Sequence, residues 1–266
     1  MPDELAAELE RAGAARGEVF RVDEVEAAVA SNPARLVLAS GDGAVGSAAR
    51  AAGRAGIPLA LLPAGTANDF ARVIGLPVDT AAACRVAVAG TVTREMELGD
   101  MDGRPFVNAA SAGLAVAANR RAAPLRHRIG RVAYAVGALG AALREPPLPC
   151  RVTRDGREML AGRAWQVTVA CSGRFGGGSQ VETADPGDGL LDLAVLMAGP
   201  RLRLVAHAYG LRSGTLTSQR GVRHGRANTA EVEVPEGTPF NVDGEVIDHG
   251  PATFSAERAA FRVVTG

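Results

Sequence analysis

The sequence predicts an α/β protein, in which a doubly wound parallel-sheet unit is followed by a second unit rich in β-strands. In the first part of the chain, short apolar runs alternate with Ala-rich segments, which is typical of a parallel sheet covered by helices on both faces. After Gly90, stretches of alternating polarity and Asp-Gly turns favour antiparallel strands. With 266 residues, 47% of them hydrophobic, the chain is large enough for two cores. We therefore predict domains at residues 1–93 and 94–266.

The elements of the N-terminal unit follow from its apolar runs and the residues that end them. The run 35–39 stops at Gly41 and the run 57–62 is closed by Pro63, as expected of buried parallel strands. Asp79 is suited to cap the helix that follows it. In order, we predict a helix around Leu5 and Leu9, a strand at 18–22, a helix at 25–30, strands at 35–39 and 57–62 with a helix at 44–55 between them, and helices at 69–74 and 80–89.

The second unit is predicted to consist mainly of strands. Asp102-Gly103 and Asp155-Gly156 are favoured hairpin turns and separate runs of alternating polarity. Helical composition returns at 130–144 and 201–211. The predicted strands lie at 91–98, 105–110, 150–153, 165–171, 190–196, 222–225, 231–234, 240–242, 253–255 and 260–264.

Charge and cysteine usage argue against several classes of function. All 29 basic residues are Arg and balance 29 acidic residues, so no net charge attracts the chain to nucleic acid. Cys84, Cys150 and Cys171 are far apart, which argues against a disulfide framework or a zinc site and favours a reducing cytoplasm. The acidic N-terminus differs from a signal peptide, and the apolar segment 132–143 is too short to span a bilayer. We therefore expect a cytoplasmic protein.

Two glycine-anchored loops carry the chemistry that the sequence predicts. Residues 40–43 read SGDG and residues 63–69 read PAGTAND, and each loop follows a predicted strand. The carboxyl ends of neighbouring parallel strands share one edge of the sheet, where ligands bind. Helix-start N–H groups, a hydroxyl and two carboxylates suit a nucleotide phosphate with its magnesium. Either loop alone is compatible with a simple turn or helix cap, but together they favour phosphoryl transfer.

The pairing of SGDG with PAGTANDFAR at 63–72 resembles the diacylglycerol kinase catalytic domain, in the branch of soluble bacterial lipid kinases that includes sphingoid-base kinases. Other segments resemble further motifs of that family, in the same order along the chain. These are FVN at 106–108 with SAG at 111–113, GRVAY at 130–134, DGLLD at 188–192 and VDGE at 242–245. The resemblance implies an N-terminal domain related to NAD kinases and a β-sandwich-like second domain, with the active site between them.

The same resemblance implies ATP-dependent phosphorylation of the hydroxyl of diacylglycerol or a related lipid alcohol, with ATP and Mg²⁺ as cofactors. Asp42 and Asp69 match carboxylates near Mg-ATP, and Glu245 matches the general base. Asp188 matches a structural metal loop of some bacterial members. The expected nucleotide contacts are Gly41, Gly43, Gly65, Thr66, Asn68 and, one turn further on, Arg72.

Three departures from the family pattern keep other interpretations open. The opening strand with its N-P-x-S-G turn is not found, Ala44 stands where Thr is expected, and Ser47 stands where Glu is expected. A catalytically degenerate nucleotide- or lipid-binding homologue is therefore an alternative. A sphingoid-base kinase or an NAD-kinase-like enzyme acting on a soluble diol is another, although the VDGE segment favours a lipid kinase.

The expected partner is a lipid substrate at a membrane surface, met by peripheral contact. A basic cluster is compatible with either a solvated face or contact with phosphate or anionic headgroups, and consists of Arg120, Arg121, Arg126, His127, Arg128 and Arg131. No nucleic-acid partner is expected. Whether the chain forms a homodimer is left open by the sequence.

Overall fold

The computed structural model describes residues 2–15, 17–125, 132–175, 179–181 and 183–266. Within these ranges the helices are α1 (Pro2–Arg11), α2 (Val25–Ala30), α3 (Val45–Ala55), α4 (Asp69–Val73), α5 (Thr80–Ala89), α6 (Leu114–Ala122), α7 (Val132–Arg144) and α8 (Arg203–Ser213). The strands are β1 (Leu36–Ser40), β2 (Leu59–Pro63), β3 (Thr93–Met101), β4 (Arg104–Phe106), β5 (Ala109–Gly113), β6 (Leu148–Arg154), β7 (Arg157–Ala170), β8 (Arg174–Phe175), β9 (Ser179–Gln180), β10 (Leu191–Met197), β11 (Val222–Ala227), β12 (Thr229–Glu233), β13 (Pro239–Val242), β14 (Glu245–Asp248) and β15 (Ala252–Val264).

Strand β2 lies at the centre of the N-terminal unit. It runs parallel to β1 and, through the pairing of Val263 with Leu59, parallel to the end of β15. Leu59 and Leu61 pack with the alanines of α3, whereas Ala60 and Leu62 pack with α5 on the opposite face. The continuous apolar sequence of β2 therefore reflects burial on both faces, and the predicted parallel sheet between two helical layers is confirmed.

The remaining strands of this sheet are antiparallel and form the second unit. The order along the sheet is β1-β2-β15-β12-β6-β7-β5-β13-β14, with β3 and β4 continuing from β15 and with β10 and β11 continuing from β7. Three aromatic rings lie at the middle of the second core, where Phe254 is 6.3 Å from Phe106 and 6.0 Å from Phe240 between ring centroids. The predicted β-rich second unit is therefore confirmed.

Strands β3 and β15 join the two units. Met96 of β3 and Phe261 of β15 lie in the N-terminal core, whereas Met101 and Phe254, on the same two strands, lie in the second core. The predicted boundary between residues 93 and 94 thus falls at the start of a strand that serves both cores. The last strand, β15, also returns to the first unit, so a single boundary in the sequence cannot assign all of its residues to the correct unit.

The predicted strand at 18–22 is wrong. The structure has no strand there, and a single 3₁₀ turn spans Val22–Glu24. The backbone N–H of Arg21 donates to Glu24 Oε2 at 2.8 Å, and Arg21 Nε donates to Asp23 Oδ1 at 3.0 Å. These local side-chain contacts replace the ladder that an extended segment would need.

Several sequence features lie outside the described residues. They are the segment 126–131, which holds most of the predicted basic cluster, and the three glycines at 176–178. The predicted helix at 130–144 is found as α7 from Val132 onward. Among the described helices, none combines the length and the apolar character that crossing a membrane requires.

Candidate active site

The two predicted loops meet at their glycines. Strands β1 and β2 are in register to their last residues, with Ser40 opposite Pro63, so both loops leave the sheet at the same level. A Cβ atom on Gly65 would stand 2.6 Å from the Cα of Gly41, which is closer than side chains tolerate. Glycine at these two positions therefore allows the two backbones to touch, and a single edge of the sheet presents both loops.

Asp42 joins the two loops through its carboxylate. Oδ2 accepts the N–H of Asp69 and Oδ1 accepts the N–H of Phe70, each at 3.0 Å. These N–H groups belong to the first turn of α4 and have no carbonyl partner within the helix, so Asp42 caps α4 from the neighbouring loop. The structure thus brings Asp42 and Asp69 together. Asp69 is only 4% exposed, however, and its role beside a nucleotide stays a prediction.

The second loop is held by its own side chains. Asn68 adopts the left-handed conformation at φ 51°, and its amide both accepts the N–H of Gly65 at 2.8 Å and donates to the Gly65 carbonyl at 2.9 Å. Arg72 Nε donates to the carbonyl of Ala67 at 3.1 Å, which folds this exposed side chain back onto the loop. Thr66 is exposed at the tip. Asn68 therefore shapes the loop, while Thr66 and Arg72 remain accessible.

Glu245 reaches the first loop from the second unit. It begins β14, directly after the tight turn at Asp243-Gly244, and a Cβ atom on Gly43 would lie 3.1 Å from Glu245 Oε1. The carboxylate of Glu245 forms an ion pair with Arg104 at the start of β4. The structure therefore places the predicted general base against the glycine of the predicted phosphate loop, although 202 positions separate the two residues in the sequence.

An open cleft of about 390 Å³ borders this contact. Ala44 and Ser47 line it, so two of the three departures from the family pattern lie at the candidate site. The remaining lining residues are Val22, Asp23, Gly43, Arg104, Pro105 and Glu245. The cleft therefore carries one cationic and two carboxylate side chains, and both units contribute to its walls.

Asp243 is a residue of this region to which the sequence analysis gave no role. Its carboxylate accepts the N–H groups of Val107, Asn108 and Ala109 at 2.7, 2.9 and 3.0 Å. Desolvation raises the pKa of Asp243 to about 7, the three N–H groups oppose this shift, and the nearby charge of Asp42 adds to it. The VDGE motif contained this aspartate, but only the fold shows that it ties the Glu245 turn to the segment entering β5.

Asp188 is predicted to belong to a metal loop, and in the structure its carboxylate meets a cation of the protein itself. Arg226 forms an ion pair with Asp188 and also contacts Asp192 Oδ2 from its Nε at 3.1 Å. Asp192 is fully buried. Its Oδ1 accepts the hydroxyl of Thr183 and is hydrogen-bonded to Nε2 of His224. Among the described residues, no group of three His, Cys, Asp or Glu side chains could hold a metal ion. In the structure the Asp188 turn meets an internal guanidinium, and a metal loop at this turn stays a prediction.

A buried polar chain connects the Asp188 turn with the candidate site. Glu97 is 1% exposed, accepts the Cys171 thiol at 3.2 Å and accepts the N–H of Gly189. Desolvation raises the pKa of Glu97, and burial beside Glu97 raises the pKa of Cys171 well above its usual value. The N–H of Cys171 donates to the carbonyl of Asn108, whose own N–H is held by Asp243. The two regions thus share one hydrogen-bonded framework.

Family models match both units of the chain. The diacylglycerol kinase catalytic domain matches residues 8–101, and the YegS C-terminal NAD kinase beta sandwich-like domain matches residues 108–265. The chain belongs to the diacylglycerol kinase family. It is a lipid kinase, and the resemblance seen in the sequence is confirmed.

Similar proteins cover most of the chain. A diacylglycerol kinase of Mycobacterium tuberculosis strain H37Rv is 32% identical over 244 residues, which span 90% of this chain and 79% of that protein. A Pseudomonas aeruginosa protein named probable lipid kinase YegS-like is 33% identical over 262 residues, covering 93% of this chain and 81% of its own.

Solved structures show the same fold. A diacylglycerol kinase crystal structure from Bacillus anthracis has a TM-score of 0.76 at 20% identity and covers 94% of this chain and 84% of its own. An NAD kinase from Archaeoglobus fulgidus in complex with ATP has a TM-score of 0.51 at 14% identity, and the match covers 98% of this chain and 88% of the NAD kinase. The predicted NAD-kinase-like architecture is therefore confirmed for this chain.

Proposed function

We propose that this lipid kinase transfers the γ-phosphoryl group of ATP to the free hydroxyl of diacylglycerol at the cleft beside Gly43. The observation that supports this most directly is the position of Glu245, whose carboxylate meets the glycine of the first loop. The geometry joins a carboxylate able to accept a proton with a loop able to approach a phosphate. Phosphoryl transfer depends mainly on such positioning and on compensation of charge.

In the proposed reaction, the lipid hydroxyl oxygen forms a bond to the γ-phosphorus while the bond from that phosphorus to the β,γ-bridging oxygen breaks. Glu245 accepts the proton of the hydroxyl, and ADP leaves with the electron pair of the broken bond. Arg104, already beside Glu245, is placed to meet the charge that develops on the phosphoryl oxygens.

The chain also offers groups for the phosphates and for Mg²⁺. The 3₁₀ turn at Asp42–Ala44 leads into α3, whose first N–H groups suit an anion. Mg²⁺ commonly takes only one or two protein carboxylates and completes its shell with water and phosphate oxygens, and carboxylate oxygens can accept more than one partner. Asp42 would hold the ion, which would neutralise phosphate charge when bound.

Radiolabel transfer from ATP to diacylglycerol in mixed micelles tests the proposal. We expect turnover by the natural chain and a loss of about a hundredfold or more in kcat for Glu245→Gln, as for removal of a general base. The matched control is Asp248→Asn, since Asp248 lies on the same strand and pairs with Arg120 as Glu245 pairs with Arg104. Equal activity of the two variants would contradict the assigned role of Glu245.

One alternative rests on a specific observation at the cleft wall. There Ala44 lacks the hydroxyl of the expected Thr, and Ser47 lacks the carboxylate of the expected Glu. A non-catalytic homologue would bind Mg-ATP in calorimetry without turning over any lipid alcohol. A panel of diacylglycerol, a sphingoid base and NAD separates the possible acceptors. Turnover of NAD alone, or of no acceptor at ample Mg-ATP, would overturn the proposal.

A further inference from the structure

The exposed apolar side chains of this protein are concentrated on two helices of the second unit. Ten large hydrophobic side chains are exposed among the described residues, and six of them lie on α7 or at α8. The other four are valines outside these two helices. The six are Val136, Leu139 and Leu143 on α7, and Leu202, Val205 and Tyr209 at α8.

Both rows have the spacing of a single helical face. On each helix the three exposed side chains form a row at positions i, i+3 and i+7, and these positions lie on one side of an α-helix. The opposite faces are buried. A Cβ atom on Gly137 would lie 2.4 Å from the carbonyl of Ala118 in α6, so α7 is packed tightly on that side, and Leu204 is buried under α8. The exposed rows are therefore real outer faces and not frayed ends.

The two rows approach each other at one junction. Arg201 donates to the carbonyls of Ala142 and Glu145, so the start of α8 lies against the end of α7. Leu143 follows Ala142, and Leu202 follows Arg201. The leucines are 63% and 83% exposed, which leaves an apolar surface on both sides of the junction. We call the six side chains and the junction between them the α7–α8 face.

The α7–α8 face is also basic. Residues 132–144 and 201–213 contain no Asp or Glu, and they contain four exposed arginines, namely Arg144, Arg201, Arg203 and Arg212. The whole chain has no net charge, so this surface is locally cationic within a neutral protein. The nearest acid in the sequence is Glu145, which is already paired with Arg121.

We infer that the α7–α8 face is the surface by which the protein docks on an anionic lipid bilayer. Apolar side chains with arginines at their margin suit the interface of a bilayer, where the apolar groups enter the acyl boundary and the cations meet lipid phosphates. A second copy of this chain fits less well. A symmetric contact would place two cationic faces without acidic residues against each other, and their like charges would repel. The inference depends on the proposed function in one respect, namely that docking would bring the lipid substrate to the protein.

The face lies one helix away from the candidate active site. Helix α6 packs against α7, and Asn119 of α6 donates from its Nδ2 to the carbonyl of Gly244 at 3.0 Å. Gly244 belongs to the turn that places Glu245. A bilayer bound at α7 and α8 would therefore border the unit that carries the predicted base.

Sedimentation with vesicles tests docking without requiring turnover. We expect the natural chain to bind vesicles of phosphatidylcholine with phosphatidylglycerol more tightly than pure phosphatidylcholine vesicles. The double variant Leu139→Asp with Leu143→Asp should bind at least about tenfold more weakly, since two apolar side chains no longer enter the interface. The control pair Val78→Asp with Val92→Asp adds the same charge at exposed valines elsewhere and should bind as the natural chain does.

A second pair of variants and a soluble substrate complete the test. Arg144→Gln with Arg203→Gln should remove the preference for anionic vesicles. With a dispersed short-chain diacylglycerol, all these variants should keep the activity of the natural chain, which also shows that they fold. Unchanged vesicle binding by the leucine variant, or no vesicle binding by the natural chain, would overturn the inference.

Two further outcomes are informative. If the natural chain is a dimer that the leucine substitutions convert to a monomer, and it binds no vesicles, the face is a subunit interface and the inference fails. If the natural chain binds vesicles through this face but phosphorylates no lipid, the inference stands and the proposed function fails.

Discussion

Replacing Asp243 by asparagine is expected to abolish a loss of about 4 kcal/mol in stability that the natural chain undergoes as the pH rises from about 4 to about 8. Desolvation holds the pKa of Asp243 at about 7 in the folded state, against an ordinary value of 3.8. Between these pH values the folded protein keeps a proton that the unfolded chain has released, so the free energy of unfolding falls as pH rises. The stability contributed by the protonated group is present below about pH 4 and is lost as the pH passes about 7.

The size of the effect follows from the interval between 3.8 and about 7. At about 1.36 kcal/mol for each pKa unit, the natural chain loses about 4 kcal/mol relative to a neutral side chain of the same shape. The asparagine in Asp243→Asn resembles the protonated acid. Its carbonyl oxygen can accept the N–H groups of Asn108 and Ala109, but its NH₂ group is a donor. The N–H of Val107 therefore loses its acceptor, at a cost of about 1–3 kcal/mol at every pH.

Urea unfolding followed by circular dichroism at a series of pH values between 4 and 8 gives the free energy of unfolding for each protein. The control is Asp155→Asn, because Asp155 also occupies an Asp-Gly turn at φ 44° and accepts two backbone N–H groups at 3.0 Å, but in an exposed setting. This control is expected to gain no stability at pH 8. If the natural chain and Asp243→Asn lost the same amount of stability between pH 4 and pH 8, the argument from desolvation would be refuted.

The remaining predictions concern the loop contact and the Asp188 turn. Gly43→Ala should lower kcat strongly with a loss of only about 1 kcal/mol in stability, since its Cβ would displace Glu245. Gly17→Ala should leave activity unchanged, because the nearest atom beyond the chain neighbours, the carbonyl oxygen of Ala15, is 4.0 Å from the added Cβ. Steady-state kinetics measure kcat, and urea unfolding measures stability, for both variants. Arg226→Gln should cost about 2–4 kcal/mol in urea unfolding, because it leaves buried carboxylate charge without its partner. A chelator should leave the thermal midpoint of the natural chain unchanged, and a clear drop would show that a metal ion, not Arg226, holds Asp188.

Sequence reasoning recovered the features that depend on nearby residues. The apolar runs gave β1 and β2, and Asp79 was expected to cap α5, which it does by accepting the N–H of Ala82 at 2.8 Å. The two loops were placed at one edge because parallel strands end together. The strand expected at 18–22 failed because periodicity cannot tell whether an extended segment has a partner, and this one makes polar contacts within its own turn.

The features that sequence reasoning missed all depend on contacts between distant parts of the chain. Nothing near Asp188 in the sequence shows that Arg226, 38 positions away, occupies its carboxylate. The partner of Glu245 is Arg104, 141 positions away, and no local pattern indicates it. The motifs therefore located the acidic residues, but not which cation each of them meets.

This distinction bears on how the active-site region is built. Asp42 and Asp243 both use their carboxylates to hold backbone N–H groups, Asp42 at the start of α4 and Asp243 before β5. Both sets of hydrogen bonds come from the protein's own backbone, so each carboxylate fixes one segment of the site. Glu245 differs, since its exposed side chain is held by a single ion pair with Arg104 that competing charge can replace. The structure thus separates two carboxylates that hold the loops from one exposed carboxylate at the cleft, and this is the difference that the proposed role of Glu245 as proton acceptor requires.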